Sequence, residues 1–274
     1  MMRSASRQAL GTVREYEQSV FEGRISAAKL AELASELYAV ADLLTAQPRL
    51  RRTLGDPATS PDARAALAER LLSGQVGPTA LQLSQAVVRQ RWSSPWDLTD
   101  ALESAGDEAL FVAAEKSGSL DGVEDELFRF ERILGTEGEL VGLLDEVSID
   151  PARRIALLDS LVEGKVSETT LALLRHAVAS QRKRSIVLAI DDLLETAAAR
   201  QQRSVARVIS AVPLTDAQQE RLSATLTEMY GRAISVRTAI DPDVRGGLVV
   251  RVGDEVIDGS IATRFAAARN ALAG

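Results

Sequence analysis

The residues best suited to chemistry are concentrated near the C-terminus, in the segment DPDVRGGLVVRVGDEVIDGS at positions 241–260. Its carboxylates at Asp254, Glu255 and Asp258 are of the type that binds Ca²⁺, and its glycines are of the type that cradles phosphate. However, the alternating ligand spacing of an EF-hand is absent. A phosphate-binding loop also leads from a strand into a helix, whereas these glycines lead into the strand-like run LVVRV. The segment therefore predicts neither a metal site nor a phosphate cradle.

Turn formation explains more of this segment, because Asp, Pro, Gly and Ser are the residues that tight turns and helix caps prefer. An Asp-Pro pair ends one strand, a Gly-Gly pair reverses the chain, and a Gly-Asp pair forms a second turn. An Asp-Gly-Ser bend then caps a last helix. The nine residues with these predicted conformational roles are Asp241, Pro242, Gly246, Gly247, Gly253, Asp254, Asp258, Gly259 and Ser260.

The rest of the chain offers few groups for catalysis. It has no cysteine and a single histidine, His176, so thiolate metal sites and Ser-His or Cys-His catalysis lack the residues they need. His176 lies in a leucine-rich helix, which favours a packing residue over a base or a ligand. Trp92 and Trp96 favour core packing, with an anchor for a partner as the alternative. We predict no catalytic, cofactor-binding or metal-binding residue.

Composition indicates a globular protein with a helical core. Of the 274 residues, 46% are apolar and only 4% aromatic, so the core must consist of Ala, Leu, Val and Ile, which suits closely packed helices. The net charge of −7 argues against a nucleic-acid partner, and the basic run at 182–184 is most simply a solvated helix face. The N-terminus lacks the apolar stretch of a signal peptide, and no apolar run approaches the roughly 18 residues that span a bilayer. We expect any membrane association to be indirect.

The chain contains an internal repeat. Residues 30–88 align with residues 120–178 without a gap and share 17 identities in 59 positions. After a slip of one residue, QRWSS at 90–94 continues to match QRKRS at 181–185. In both repeats a Pro follows a capping residue at the start of a helix, at Pro61 and Pro151, and a Gly stands where that helix should stop. We predict two copies of a bundle of short antiparallel helices.

The periodicity changes near residue 204. The runs SVARVISAV, AISVRTAID and GGLVVRVGD read as strands, LTDAQQERLSATLTEMYG as a capped helix, and SIATRFAAARNAL as a final short helix. The sequence therefore predicts a mainly α protein, with a duplicated helical bundle followed by a small α/β domain. The predicted domains are residues 1–108, 109–203 and 204–274.

The C-terminal region resembles the delta subunit of the rotary ATP synthase, whose mitochondrial counterpart is the oligomycin-sensitivity-conferring protein. The matching segments are VARVISAVPLTDAQQERLSATL and YGRAISVRTAIDPDVRGGLVVRVGDEVIDGSIATRF, followed by a terminal helix. Two residues depart from the family pattern: Arg245 stands at a usually apolar position, and Phe265 replaces a usual Leu. The usual member is shorter by about one repeat, so the resemblance is to the enlarged actinobacterial form. A composition of 28 Arg against 4 Lys suits a GC-rich genome.

The resemblance implies a non-catalytic stator subunit at the cytoplasmic face of the cell membrane. Such a subunit grips the N-terminal tails of the alpha subunits on the catalytic head and holds the b subunits of the peripheral stalk, so that the head does not turn with the rotor. By analogy, the N-terminal helices receive the alpha tail and the C-terminal unit meets the b subunits. The chain carries no b-type segment, which is typical of the standalone form. For the alpha contact we predict the apolar face of the first helix, with core packing as the alternative: Ala9, Val13, Val20 and Phe21.

A second interpretation is a helical-repeat adaptor unrelated to ATP synthase, and a third is an enzyme that uses an unrecognised pair of carboxylates. The adaptor predicts further tandem copies, whereas this chain has two copies and then a distinct C-terminal unit. The enzyme predicts two acids with perturbed pKa values in a deep pocket.

Overall fold

The computed structural model divides the chain into two compact units, Met1–Leu193 and Leu194–Gly274. The residues that it describes are 4–21, 23, 25–180, 185–203, 205–230, 234–241, 244, 247–252 and 255–258. The basic run at 182–184, the two departures at Arg245 and Phe265, and the predicted final helix lie outside the described residues.

Among the described residues of the first unit the named elements are all helices, which confirms the prediction of a mainly α protein. They are α1 (Ser4–Phe21), α2 (Ala27–Ala46), α3 (Pro48–Leu54), α4 (Pro61–Leu72), α5 (Pro78–Arg89), α6 (Pro95–Lys116), α7 (Leu120–Thr136), α8 (Gly138–Asp145), α9 (Pro151–Val162), α10 (Glu168–Ala179) and α11 (Ile186–Arg203). The last of these runs across the division between the two units.

The helices α2 to α6 recur in the same order as α7 to α11, at the spacing of the sequence repeat. Ser60 and Asp150 cap α4 and α9 through side-chain oxygens, and each helix begins with the predicted proline. Gly74 and Gly164 follow these helices with φ of 74° and 73°, a left-handed conformation that glycine adopts without strain. The capping residue, the proline and the glycine that the sequence predicts at the ends of this helix therefore take these places in both copies.

Two hydrogen-bonded charged groups also recur, a buried arginine and a partly exposed glutamate. Arg154 donates to the carbonyls of Leu144 and Val178 at 3.1 and 2.9 Å, and its counterpart Arg64 likewise donates to carbonyls at the end of α5. Glu126 accepts hydrogen bonds from the backbone N–H and hydroxyl of Ser167, and from the hydroxyl of Thr170. Its counterpart, Glu36, accepts from the N–H of Gly77 at 2.8 Å. Each copy thus ties both ends of its fourth helix to the rest of the bundle.

Helix α6 belongs to both copies. It packs on α1, α2, α3 and α5 of the first copy and on α7 and α10 of the second, and 13 of its 22 residues are buried. The boundary predicted between residues 108 and 109 lies inside this uninterrupted helix, and both copies belong to one compact unit. The division of the chain into three domains stays a prediction.

A junction of polar and aromatic side chains joins the two copies beside α6. The ring of Tyr38 on α2 stacks on His176 of α10, with centroids 3.7 Å apart and planes 7° from parallel. The Tyr38 hydroxyl donates to Asp107 at 2.6 Å, and the Ser180 hydroxyl donates to Glu103 at 2.6 Å. Burial, reinforced by the nearby Asp107 carboxylate, holds the pKa of Tyr38 well above its ordinary value. The only histidine is therefore part of the packing between the copies.

The second unit is a small α/β fold. Its sheet has the order β2-β1-β3-β4, in which β1 and β2 are parallel and the other pairs are antiparallel. Its core is formed by Ala206, Val208, Leu226, Ile234, Val250 and Val252. The elements are β1 (Val205–Ser210), α12 (Asp216–Tyr230), β2 (Ser235–Ile240), β3 (Leu248–Val252) and β4 (Glu255–Asp258).

The sequence predicted the first three strands and α12. Thr215 and Gln218 form a capping box, in which each side chain accepts a hydrogen bond from the backbone N–H of the other. The fourth strand was not predicted, because EVID is too short to show a period of its own and pairs as a strand only once β3 lies beside it.

Gly106 is required where α2 crosses α6, because a Cβ there would lie 2.4 Å from the ring of Tyr38. We expect Gly106→Ala to lower the free energy of unfolding by about 1–3 kcal/mol through overpacking. At Gly11, in the exposed middle of α1, a Cβ would meet nothing within 4 Å. Gly11→Ala should therefore raise the free energy of unfolding by about 0.5–1 kcal/mol. Urea unfolding of both variants measures the two effects, and an equal change in the two would contradict the role given to Gly106.

Replacing the buried arginine of the second copy should be costly. Arg154→Met leaves the carbonyls of Leu144 and Val178 without this donor, so we expect a loss of about 2–3 kcal/mol in unfolding free energy. The adjacent Arg153 is exposed, and Arg153→Met is the matched control, with an expected change within about 0.5 kcal/mol. Equal losses of unfolding free energy in the two variants would show that the hydrogen bonds of Arg154 contribute nothing to stability.

Glu126 should make the stability of the protein pH-dependent. Burial acts to raise the pKa of Glu126, but the hydrogen bonds from Thr170 and Ser167 outweigh it, so the net pKa is lowered. A carboxyl with a lowered folded-state pKa stabilises the protein above its ordinary value of 4.5, and this contribution is lost as the pH falls through the folded-state pKa. The stability difference between wild type and Glu126→Gln should therefore shrink on acidification. The same substitution at exposed Glu137 is the control, and a pH-independent difference for Glu126→Gln would contradict the prediction.

Candidate functional site

The four residues predicted on the first helix lie on its inner face. Ala9, Val13 and Phe21 are buried, and Val20 is partly exposed. Their spacing puts them on the stripe along which α1 packs against α5 and α6. Ser6 on the same face donates to Asp97 at 2.7 Å and accepts from the N–H of Ser93 at 2.8 Å. Three of the four residues thus hold α1 in the bundle, and Val20 alone of them reaches the surface.

The two tryptophans both serve the packing of the first copy. Trp92 is buried, and its indole N–H donates to the carbonyl of Val87 at 2.9 Å. Trp96 lies in the first turn of α6, and the guanidinium of Arg51 stands 3.4 Å from the centre of its ring.

Exposed apolar side chains occur at equivalent places in both copies. Leu43 and Leu71 lie at the edge of a small apolar pocket in the first copy, and their counterparts Ile133 and Leu161 are exposed in the second. The pocket is lined by further apolar side chains, among them Val40, Leu50, Leu54 and Val88. Because both copies keep this exposed pair, its exposure is a property of the repeated bundle.

Phe128 on α7 differs from its counterpart in the first copy. The equivalent Tyr38 is held between α6 and α10, whereas the side chain of Phe128 is 50% exposed. Its neighbours one turn away are Glu124 and Glu131, both partly exposed, and Asp125 and Arg132, both exposed. Burial, together with the charges of Asp121 and Asp125, raises the pKa of Glu124. The prediction from sequence missed this surface, although a position-by-position comparison of the repeats contains the signal.

In the second unit, three of the nine predicted turn residues are described by the structure. Asp241 follows β2 and donates its N–H to the carbonyl of Ser210 at 2.9 Å. Gly247, just before β3, has φ of 88°, the left-handed conformation expected of a turn glycine. Asp258 ends β4, with its backbone paired to Val249. The remaining six lie outside the described residues: Pro242, Gly246, Gly253, Asp254, Gly259 and Ser260.

Within the described part of the chain, no cluster of three or more His, Asp or Glu residues is placed to hold a metal ion. None of the helices in that part is both long and apolar enough to cross a bilayer.

Comparison with known proteins identifies the family. The family model for the ATP synthase delta (OSCP) subunit matches residues 107–272, which covers the end of α6, the second copy and the C-terminal unit. ATP synthase subunit delta of Streptomyces griseus subsp. griseus is 44% identical over 274 residues and all of both chains. The Acidothermus cellulolyticus subunit delta is 42% identical over 273 residues, which are 99% of this chain and 100% of that protein.

A third relative has a composite name. "ATP synthase subunit b-delta" of Mycobacterium sp. (strain KMS) is 42% identical over 272 residues, which are 99% of this chain but 61% of that protein. The identity extends over the whole length of the chain, and the family model covers more than half of its residues. The family assignment therefore does not depend on the C-terminal motifs alone. The chain belongs to the ATP synthase delta (OSCP) subunit family.

Proposed function

We propose that this protein is a non-catalytic stator subunit of the proton-translocating ATP synthase. It joins the top of the catalytic head to the peripheral stalk, so that the head does not turn with the rotor. The observation that carries the proposal is the end-to-end match to proteins named ATP synthase subunit delta, with both copies of the helical bundle included.

The architecture of the first unit suits a joint that must transmit force without deforming. Since α6 is shared, the second copy cannot rotate against the first without breaking the packing along that helix. The stack of Tyr38 on His176 and the hydrogen bond from Tyr38 to Asp107 oppose the same motion from the side. Close-packed helical interiors have low compressibility and transmit strain, which is the property that a stator requires.

The proposed partners are the N-terminal tails of the alpha subunits for the helical unit and the b subunits for the C-terminal unit. Helical bundles bind amphipathic partner helices along apolar grooves, and the first unit has exposed apolar side chains at equivalent positions of both copies. The Mycobacterium relative whose name joins b with delta supports a b-type partner. With these partners the protein would lie at the cytoplasmic face of the cell membrane, attached only through the complex.

The contact proposed on α1 now depends mainly on Val20, because Ala9, Val13 and Phe21 are used within the bundle. These three would act indirectly, by holding α1 against α5 and α6. No catalytic site, cofactor or nucleic-acid partner is part of the proposal. A helical-repeat adaptor outside ATP synthase is not supported by any of the relatives.

Crosslinking in the native complex tests the proposal. The tagged protein is recovered from detergent-solubilised membranes of its source and crosslinked with an acid-reactive reagent, because the chain has 39 carboxylates but only four lysines. We expect crosslinks from residues 1–193 to alpha N-terminal tails and from residues 194–274 to b subunits, identified by mass spectrometry. Recovery of the protein without any ATP synthase subunit would overturn the proposed function.

A further inference from the structure

Helix α1 in the first copy and helix α6 in the second take equivalent places. α1 packs on α5, and α6 packs on α10, which is the counterpart of α5 in the repeat. At the spacing of the repeat, Phe21 at the end of α1 corresponds to Phe111 of α6, and both rings are buried. Each copy therefore has a helix that covers its fourth helix, α1 in the first copy and α6 in the second.

The two covering helices differ in how firmly they are held. In α6, 13 of 22 residues are buried, whereas α1 has five buried residues among 18. Two of those five, Ser6 and Glu17, are polar, and a third is Ala9. Buried polar side chains stabilise a helix less than apolar ones do, because they must first give up their hydrogen bonds to water. The large apolar side chains that hold α1 in place are therefore Val13 and Phe21.

Hydrogen bonds fasten α1 near both of its ends. At its start, the Ser6 hydroxyl donates to Asp97 at 2.7 Å and accepts from a backbone N–H just before α6 at 2.8 Å. Just beyond its end, the Lys116 ammonium group donates to the carbonyls of Gly23 and Ile25 at 2.9 and 3.1 Å. Release of α1 breaks these contacts and its packing on α5 and α6, whereas release of α6 would dismantle both copies.

We propose that α1 is a strap that opens from α5 and α6 as one unit, while α2 to α10 stay folded, and then closes again. Opening uncovers the sides of α5 and α6 on which α1 packs, so the first copy has a closed and an open form. The stack of Tyr38 on His176 is made by α2 and α10, so opening leaves the connection between the copies intact. The device goes beyond the proposed stator function and does not depend on it.

Hydrogen–deuterium exchange of the full-length protein, read by mass spectrometry, tests the proposal. A helix of 18 residues with Gly11 in its exposed middle is marginal by itself in water, so α1 loses its backbone hydrogen bonds when it is released. We expect the amides of α1 to exchange together, at least about tenfold faster than the slowest amides of α6. Low concentrations of urea should accelerate exchange in α1 less steeply than in α6, because a local opening exposes less surface than global unfolding. Equal rates with equal urea dependence in the two helices would overturn the proposal.

Arg154→Met separates local opening from global unfolding. The hydrogen bonds from Arg154 to Leu144 and Val178 lie in the second copy and stay intact when α1 opens. The variant should therefore accelerate exchange of the slowest amides of α6 at least about tenfold, and exchange in α1 by less than about twofold. Acceleration of both helices by the same factor would show that α1 is released only when the whole unit unfolds, which contradicts a strap.

Removal of one fastening tests what keeps the strap closed. Ser6→Ala deletes both hydrogen bonds at the start of α1, so exchange in α1 should become at least about threefold faster. Ser19→Ala is the matched control on the same helix, because Ser19 is exposed and its hydroxyl donates to the carbonyl of Tyr16 within α1. Alanine has the higher helix propensity, so this control should not accelerate exchange. Equal effects of the two substitutions would remove the role given to Ser6 and, with it, the strap.

Discussion

The arrangement of the first unit depends on one helix that serves two bundles. With 22 residues, α6 is about 33 Å long and has neighbours on nearly every side, which is possible because much of its surface is Ala and Gly. The closest approach is at Gly106, where the ring of Tyr38 occupies the space of a side chain. A duplicated bundle with its own complete set of helices would have a linker between the copies. Sharing α6 replaces that linker with a continuous core.

Within each copy, a buried arginine and a partly exposed glutamate fix how the short helices dock. The arginine pair, Arg64 and Arg154, bonds the carbonyls at the ends of α5 and α10, and the glutamate pair, Glu36 and Glu126, bonds the groups at their starts. A buried charge costs free energy unless it is hydrogen-bonded, so these contacts favour one docking geometry over alternatives that leave the charge unpaired. Their presence in both copies makes them part of the repeated bundle itself.

The two copies have diverged where their surroundings differ. Tyr38 stacks on His176 of the second copy and is hydrogen-bonded to Asp107, whereas the equivalent Phe128 is half-exposed and has both acidic and basic neighbours on its helix. A position that joins the two copies in the first bundle is therefore half open to solvent in the second.

The sequence by itself determined the family, the repeat, and the starts and ends of most helices, because these depend on local signals such as Pro61, Gly74 and the capping box at Thr215. It did not reveal that α6 is shared, that β4 pairs with β3, or that Phe128 is exposed while Tyr38 is covered. The apolar stripe of α1 has the same spacing whether it binds a partner or its own bundle, so only the tertiary structure decided that Ala9, Val13 and Phe21 face inward. The physical reason is that periodicity identifies the face of a helix that must be covered, whereas the covering element comes from distant parts of the chain.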